Sequence, residues 1–357
     1  IVEAAGILRE AEKPLIISGG GVFYSGAVFE LVSFAENYNI PVVETIAGRS
    51  AMLHDHPLNS GPLGVIGSSS ANTLAEEADV VLAVGTRLQD FTTGSWSVFG
   101  NEKMRLISIN AARYDAHKHR ALSVVGDALA GIEELGQALE GWKSPESWSA
   151  NARSLYAEWN STVNEHSGPT VAVPPSYAHV IGAVNRVCDE SDLALTAAGG
   201  FPGELCKNWK TKSSGTFDCE FGYSCMGYEI AGGWGAKMAD PSRDVIVFVG
   251  DGSYLMMNSD IYSSVLTGHK LIVVVCDNGG FSVINRLQNF KGSASFNNQI
   301  ADSKVESIQY VDFVQHARSM GALGEQVETI DELEKAFVRA KEADRTYLIA
   351  VRIQQHQ

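Results

Sequence analysis

Positive charge is scarce in this 357-residue chain. Its 27 Lys and Arg residues are outnumbered by 42 Asp and Glu residues, which gives a formal net charge of −15. The basic residues form no long cluster along the chain. Because such a chain repels the phosphate backbone of DNA and RNA, the composition argues against a nucleic-acid partner.

Long apolar runs and paired cysteines are missing as well. No hydrophobic stretch approaches the roughly 18 residues that a membrane-spanning helix needs, so we expect no membrane partner. The cysteines are odd in number and lack the CxxC spacing of a zinc site. We therefore expect reduced thiols in a cytoplasmic protein. The five cysteines are Cys188, Cys206, Cys219, Cys225 and Cys276.

Glycine, by contrast, is abundant. The chain has 35 glycines, which is more than the usual share of about 7 per cent. They cluster in short turns after apolar runs, as in Gly19-Gly20-Gly21 after Pro14–Ser18. This pattern is typical of loops that hold phosphate groups or nucleotides.

Strand-like and helix-like segments alternate along the chain. This order predicts an α/β fold with two doubly wound parallel-sheet domains. Residues 1–140 predict a Rossmann-like domain, and residues 173–357 predict a second α/β domain. Residues 141–172 break the pattern with Pro, Ser and Gly around one polar helix (Trp148–Asn164), which predicts a linker.

Two polar turns in the second domain each follow a predicted strand. The first is Gly250-Asp251-Gly252-Ser253, the second includes Asn278-Gly279-Gly280, and 25 residues separate Gly252 from Asn278. A strand–helix–strand unit of this length places both turns at the ligand-binding edge of the sheet. The Asp251 carboxylate, the Asn278 amide oxygen and the Gly280 carbonyl are ligands that a hard divalent cation prefers. Either turn alone would fit a simple tight turn equally well, but the pair at this spacing favours a cation and phosphate site.

This pair of turns resembles the thiamine diphosphate motif of the acetolactate synthase and pyruvate decarboxylase superfamily. The resemblance implies that Asp251, Asn278 and the carbonyl of Gly280 hold Mg²⁺, which anchors the diphosphate. It extends over the whole chain. Residues 1–140 resemble the family's central domain through ISGGG (17–21), VGTR (84–87) and VVGD (124–127), and residues 173–357 resemble its diphosphate-binding domain.

Two further segments carry the resemblance. AGGF (198–201) matches a second diphosphate loop, and YSCMGY (223–228) matches the loop beneath the cofactor rings. The match implies that the Ser224 carbonyl accepts a hydrogen bond from the 4′-amino group and that Met226 is the wedge that bends the cofactor. By residue type alone, Met226 would be an ordinary core methionine. The full set of implied cofactor-binding residues is Gly199, Gly200, Phe201, Ser224, Cys225, Met226, Gly250, Asp251, Gly252, Ser253, Asn278, Gly280 and Phe281.

The strings EFGYSCMGYE (220–229), GDGSYLMMNSDI (250–261) and NGGFSVINRLQ (278–288) resemble one branch of this family. Its members hydrolyse a carbon–carbon bond of a cyclic trihydroxy-dione in myo-inositol breakdown. The branch implies a small polyol dione as substrate and a homodimer or homotetramer whose active site is shared between subunits. Asn285, Arg286 and Gln288 would face such a substrate or lie on a surface helix. The alternatives are an acetolactate synthase-like carboligase or decarboxylase of 2-oxo acids, and a non-catalytic nucleotide-binding module.

One functional residue of the family has no counterpart in this chain. The family's first domain carries a glutamate that bonds the aminopyrimidine ring, and no segment here matches that domain. Glu44 and Glu229 lie outside the matching context, and we expect them to be surface or turn carboxylates. Because the chain starts at Ile1 within a predicted helix, we expect it to be a fragment of a longer protein. Because the family's glutamate is missing from it, we expect this fragment to be inactive alone.

The central domain of this family binds FAD or ADP in some members. Gly19-Gly20-Gly21 does not follow the GxGxxG pattern of a dinucleotide loop. The pattern therefore favours a structural domain, with bound FAD as the alternative.

Overall fold

The computed structural model describes residues 1–355 and divides them into two compact units. Unit 1 comprises Ile1–Asn164 and Lys210–Gly215, and unit 2 comprises Glu165–Trp209 and the chain from Thr216 onward. Each unit contains its own six-stranded sheet. Within the described residues, no helix has both the length and the apolar character needed to cross a membrane.

Six parallel strands form the sheet of unit 1: β1 (Pro14–Ser18), β2 (Val42–Glu44), β3 (Asn59–Pro62), β4 (Val80–Val84), β5 (Arg105–Asn110) and β6 (Leu122–Val125). Their order is β3-β2-β1-β4-β5-β6. This is the strand order of a doubly wound nucleotide-binding fold, so the predicted fold class is confirmed for this half.

The sheet of unit 1 is covered on both faces. Ile16 of β1 belongs to one hydrophobic cluster, while its neighbours Leu15 and Ile17 belong to another on the opposite face. Side chains of successive strand residues alternate between faces, so the apolar run of β1 contributes to both cores. The helices up to the end of this unit are α1 (Val2–Arg9), α2 (Gly21–Tyr24), α3 (Val28–Tyr38), α4 (Ser69–Glu77), α5 (Asp90–Thr93), α6 (Arg113–Ala116), α7 (Ala128–Ala138) and α8 (Glu146–Ser167).

The division between the two units falls inside α8. The first part of this helix packs on unit 1, because Trp148 is buried there and its indole nitrogen donates to the Pro14 carbonyl at 2.8 Å. The predicted linker at 141–172 therefore contains a long helix whose N-terminal part joins a core. The domain bounds at 140 and 173 stay a prediction.

The glycine turn after β1 has a packing explanation. A Cβ at Gly19 would overlap the Gly85 carbonyl, and a Cβ at Gly21 would lie 2.7 Å from the Gly85 Cα. The two turns approach each other so closely that only glycine fits. These glycines therefore need no bound dinucleotide to account for them.

The sheet of unit 2 is also parallel. Its strands are β7 (Leu193–Thr196), β8 (Phe217–Cys219), β9 (Val245–Gly250), β10 (Ile272–Asp277), β11 (Leu323–Val327) and β12 (Tyr347–Arg352). Their order is β11-β12-β10-β9-β7-β8. The central strands β9 and β10 are valine-rich and almost fully buried, as a sheet with helices on both faces requires.

The helices that follow α8 are α9 (Tyr177–Val187), α10 (Phe201–Asn208), α11 (Tyr228–Ala239), α12 (Asp251–Met256), α13 (Asp260–Thr267), α14 (Ser282–Phe290), α15 (Phe313–Ser319) and α16 (Ile330–Glu342). The sequence pattern also predicts one helix over residues 255–266, and this prediction is wrong because the structure has two helices there, α12 and α13. The chain leaves the helical conformation at Met257 (φ −147°, ψ 87°), and the Asn258 side chain donates to the Tyr254 carbonyl at 3.0 Å. The break leaves α12 as a short helix that starts at Asp251.

Candidate cofactor site

The predicted cofactor loops meet at one edge of the unit 2 sheet. Strands β7, β9 and β10 are neighbours and run parallel, so their carboxyl ends lie on the same side. The turn at 197–200 follows β7, the turn at 250–253 follows β9, and the turn at 277–280 follows β10. This is the edge where open α/β sheets bind their ligands.

Asp251 and Gly280, two of the three predicted metal ligands, are in direct contact. The Gly280 N–H donates to Asp251 Oδ2 at 2.8 Å, and the Asp251 side chain is buried. Burial, together with the nearby Asp277 carboxylate, raises the pKa of Asp251 above its ordinary value. The protein alone thus gives this carboxylate little compensation for its charge.

Asn278, the third predicted ligand, is held by a residue that sequence reasoning missed. Its side-chain nitrogen donates to the phenol oxygen of Tyr177 at 2.8 Å, which leaves Asn278 Oδ1 buried with no hydrogen-bond partner among the described residues. Tyr177 is the first residue of α9, just after the Ser176 capping box. No local sequence pattern marks it, because its partner lies far along the chain.

These features fit a divalent cation. An unpartnered buried amide oxygen and a poorly compensated carboxylate next to a glycine-rich turn are the donor chemistry that Mg²⁺ accepts. In the described part of the chain, no group of three or more His, Cys, Asp or Glu side chains could hold a metal. A site at Asp251 and Asn278 would therefore need backbone, phosphate or water oxygens to complete it.

Glycine is required at Gly280 of this edge, and Gly252 lies in close contact with two side chains. Gly280 has φ +139°, and a Cβ there would overlap the Asn298 carbonyl. A Cβ at Gly252 would lie 2.7 Å from the Phe281 ring and 3.5 Å from the Met226 methyl group. Met226 and Phe281 therefore both reach the turn that carries Asp251.

The turn after β7 presents backbone rather than side chains. Gly199 has φ +81°, with open space where a Cβ would stand, and Gly200 lies against the Tyr177 ring. The Phe201 ring is buried and packs on Tyr177 at 4.7 Å and on Phe248 at 5.5 Å between centroids. Because the Phe201 ring is used in packing, only the Phe201 backbone, at the start of α10, could take the predicted part in cofactor binding.

The loop that carries Met226 is organised by Glu220. This carboxylate accepts the N–H groups of Tyr223 at 3.0 Å and Cys225 at 2.8 Å. Within the loop, Ser224 has φ +54°, a left-handed conformation that is uncommon for serine. Met226 is half-buried, and the Cys225 side chain is exposed.

Other predicted residues of the site take different positions. Gly250 is the N-cap of α12 and has open space around it, whereas Ser253 is buried. Phe281 precedes α14 and is 40% exposed.

Three polar residues of α14 were predicted either to face a substrate or to lie on a surface helix, and they differ in their surroundings. Asn285 is buried, and its Oδ1 has no hydrogen-bond partner in the described chain. Arg286 is exposed, and the Gln288 side chain donates to the Ala294 carbonyl at 2.6 Å.

Glu44 and Glu229 are not surface or turn carboxylates, so that expectation is wrong. Both side chains are 0% exposed. Glu44 ends β2 in unit 1 and pairs with the buried Arg49 at 2.6 Å. Glu229 lies in the first turn of α11, next to the loop that carries Met226. From the sequence alone, a glutamate near the start of a helix is expected to face solvent. In the folded chain, the surrounding loops bury it.

Two protein-family models match this chain. The model for the central domain of thiamine pyrophosphate enzymes matches residues 1–135, and the model for their C-terminal TPP-binding domain matches residues 197–351. The chain belongs to the thiamine pyrophosphate enzymes. The turns at 197–200, 250–253 and 277–280 therefore all lie within the residues that match the TPP-binding domain, and so do Asp251 and Asn278.

Several curated relatives of this chain carry the same name. A protein from Geobacillus thermodenitrificans (strain NG80-2), "3D-(3,5/4)-trihydroxycyclohexane-1,2-dione hydrolase", is 36% identical over 98% of this chain and 59% of its own length. Proteins of that name from Bacillus cereus (strain AH820) and Bacillus anthracis (strain CDC 684 / NRRL 3495) are each 36% identical over 99% of this chain and 60% of theirs. The chain thus spans about three fifths of the length of the relatives it matches.

Proposed function

We propose that this chain is the cofactor-binding part of a thiamine diphosphate-dependent hydrolase that opens the ring of 3D-(3,5/4)-trihydroxycyclohexane-1,2-dione. The product would be 5-deoxy-glucuronate, in myo-inositol catabolism. The observation that carries the proposal is the identity of 36% over nearly the whole chain to hydrolases of that name. The buried Asp251 carboxylate and the unpartnered Asn278 amide oxygen support a Mg²⁺ site that would hold the cofactor.

Different groups of the chain would bind the cation and the diphosphate of the cofactor. Asp251, the Asn278 amide oxygen and the Gly280 carbonyl would hold Mg²⁺, and the cation would compensate the charges of Asp251 and of the diphosphate. Backbone N–H groups at Gly199, Gly200 and the start of α12 would receive the diphosphate oxygens. When bound, thiamine diphosphate supplies an electron sink for breaking a carbon–carbon bond next to a carbonyl.

The loop before α11 would orient the rings of the cofactor. The Ser224 carbonyl would accept from the 4′-amino group, and the half-buried Met226 would fill the space between the two rings. Its methyl group lies near Gly252 and thus beside the diphosphate turn. No residue of this chain matches the glutamate that activates the cofactor in the family, so we propose that another part of the full-length protein supplies it.

We propose further that the enzyme is a cytoplasmic homodimer or homotetramer whose active site is shared between subunits. Support comes from apolar side chains that unit 2 exposes around the candidate site. They lie on and just after α12 and along α14: Leu255, Met256, Met257, Ile284, Leu287 and Phe290. Exposed apolar surface of this kind marks interaction sites. Sedimentation velocity of the full-length protein tests the proposal, and a monomer would contradict it.

An assay of the full-length gene product tests the function. The protein is incubated with the cyclic dione, thiamine diphosphate and Mg²⁺, and formation of 5-deoxy-glucuronate is followed. We expect turnover that is lost on removal of either the cofactor or the cation. Turnover of pyruvate without turnover of the dione would instead support a carboligase or decarboxylase, and binding without turnover of either would support a non-catalytic module.

A further inference from the structure

The buried carboxylate of Glu229 contacts three separate segments of unit 2. Its Oε1 accepts the N–H of Ala198 at 3.2 Å, and its Oε2 accepts the N–H of Gly227 at 2.8 Å. Burial raises the pKa of the Glu229 carboxyl, and the nearby hydroxyl of Ser253, in the turn after β9, lowers it only in part. One side chain thus joins the turn after β7, the loop before α11 and the turn after β9.

Each of these partners is next to a residue of the candidate cofactor site, or is itself one. Ala198 precedes Gly199, Gly227 follows Met226, and Ser253 belongs to the turn that begins at Gly250. A shift of the Glu229 carboxylate would therefore move both diphosphate turns and the Met226 loop. That loop contains left-handed backbone at Ser224 and Gly227, so it gains little support from regular secondary structure.

The chemistry of these contacts calls for a carboxylate. Ala198 and Gly227 each donate a backbone N–H, one to each carboxylate oxygen, and an ionised carboxylate can accept both hydrogen bonds. The amide of glutamine has only one acceptor oxygen and would point an NH₂ group at one of the backbone N–H donors. A buried carboxylate is costly, and its hydrogen-bond partners named here are all uncharged.

We propose that Glu229 is a positioning residue that sets the two diphosphate turns and the Met226 loop in the arrangement that thiamine diphosphate needs. The inference rests on the proposed function, because it requires that this chain binds the cofactor. It goes beyond that function by assigning the geometry of three loops to one side chain. Preorganisation of this kind strengthens binding because the loops need not be ordered when the ligand arrives.

The test is Glu229→Gln in the full-length protein, with Glu44→Gln as the matched control. Glu44 is equally buried and also accepts a backbone N–H, from Met52 at 2.9 Å, but it lies in unit 1. Titration calorimetry with thiamine diphosphate in saturating Mg²⁺ measures affinity, and thermal unfolding of the apoprotein measures stability. We expect E229Q to bind the cofactor roughly tenfold more weakly or worse, as loss of a hydrogen bond to a charged group predicts. We expect E44Q to lower the melting temperature and leave the affinity unchanged.

A second readout separates positioning from general stability. Exchange of the cofactor's C2 hydrogen with deuterium is measured in E229Q, Met226→Ala and the double variant, each saturated with cofactor. If Glu229 acts through the Met226 loop, the double variant slows exchange less than the product of the two single effects. Fully multiplicative effects would overturn the proposal. So would wild-type affinity in E229Q, or an equal loss of affinity in E44Q.

Two further arms keep the outcome decisive. If E229Q does not fold, Glu229→Asp replaces it, because the shorter carboxylate keeps the charge but cannot reach all three segments; wild-type affinity in E229D would then contradict the inference. Wild-type protein that binds no thiamine diphosphate would refute the proposed function itself. Failure of the inference, by contrast, leaves wild-type binding intact.

Discussion

The Tyr177 phenol oxygen accepts the side-chain N–H of Asn278 at 2.8 Å and thereby fixes which way the Asn278 amide oxygen points. Asn278 Oδ1 is left without a partner in the described chain and is available to a cation. Tyr177 also packs against Gly200, so one aromatic residue supports two of the predicted cofactor turns.

Removing this hydroxyl should weaken cation binding more than it weakens the fold. We expect Tyr177→Phe to raise the Mg²⁺ concentration needed for cofactor binding roughly tenfold, in the range known for residues that orient metal ligands. Tyr38→Phe is the control, because Tyr38 donates to the Gly136 carbonyl at 2.6 Å in unit 1 and its loss should not affect cofactor binding. Mg²⁺ titrations at fixed cofactor measure both variants. Equal Mg²⁺ requirements in wild type and Y177F would refute the role given to Tyr177.

Asp251 should be essential for cofactor binding and dispensable for folding. We expect Asp251→Ala to abolish Mg²⁺-dependent binding of thiamine diphosphate, because the cation loses its charged ligand. Asp251→Asn keeps an oxygen that can accept from the Gly280 N–H and should still bind poorly, since the charge is gone. Calorimetry with and without a chelator, together with circular dichroism, checks both. Unchanged affinity in either variant would disprove the metal assignment.

Replacing Met226 by alanine distinguishes a role in orienting the cofactor from simple packing. If it is the wedge, Met226→Ala should slow C2 hydrogen exchange and turnover by roughly tenfold or more, because proximity of the internal base to the proton is lost. If it is only a packing residue, the change should cost about 2–5 kcal/mol of stability and leave exchange unaltered. Met226 is half-buried, which favours the first outcome. Exchange and melting temperature on one full-length variant decide between them.

Two glycines of the same edge should respond in opposite ways to alanine. Gly280→Ala should lower the melting temperature, because its φ of +139° and the Asn298 carbonyl exclude a Cβ. Gly250→Ala should leave the melting temperature of the apoprotein unchanged, since its backbone is extended and the space around it is open. If the diphosphate approaches this turn closely, G250A should still weaken cofactor binding severalfold. Full affinity in G250A would place the diphosphate elsewhere.

The sequence predicted the loops of the candidate site, but it did not predict the residues that hold these loops in place. The turns at 250–253 and 277–280 follow buried valine-rich strands, and such strands are recognisable because a parallel sheet buries both faces. Tyr177 and Glu229 could not be identified in this way. Their contacts, with Asn278 and with Ala198, join residues that come together only when the sheet is assembled.

The errors in the fold have a similar origin. The edge strands β3 (NSGP) and β8 (FDC) are short and lack the β-branched runs by which strands are recognised, so the sequence does not indicate them. The segment 255–266 has apolar residues at both ends and polar residues at 258–260, and the Asn258 side chain bonds the Tyr254 carbonyl where the two helices separate. The helix predicted at Trp148–Asn164, by contrast, agrees with α8 (Glu146–Ser167) within a few residues at each end.

The spacing of the three cofactor turns links cofactor supply to the lifetime of the protein. Ala198, Asp251 and Asn278 come from distant parts of the chain and meet only in the finished sheet, so an unfolded chain offers the ligand nothing to bind. A ligand that binds only the native state stabilises it by about 2.7 kcal/mol at one hundred times its dissociation constant. When thiamine is short, the same polypeptide would unfold more often and be degraded sooner, so its abundance would follow the vitamin without any dedicated regulator.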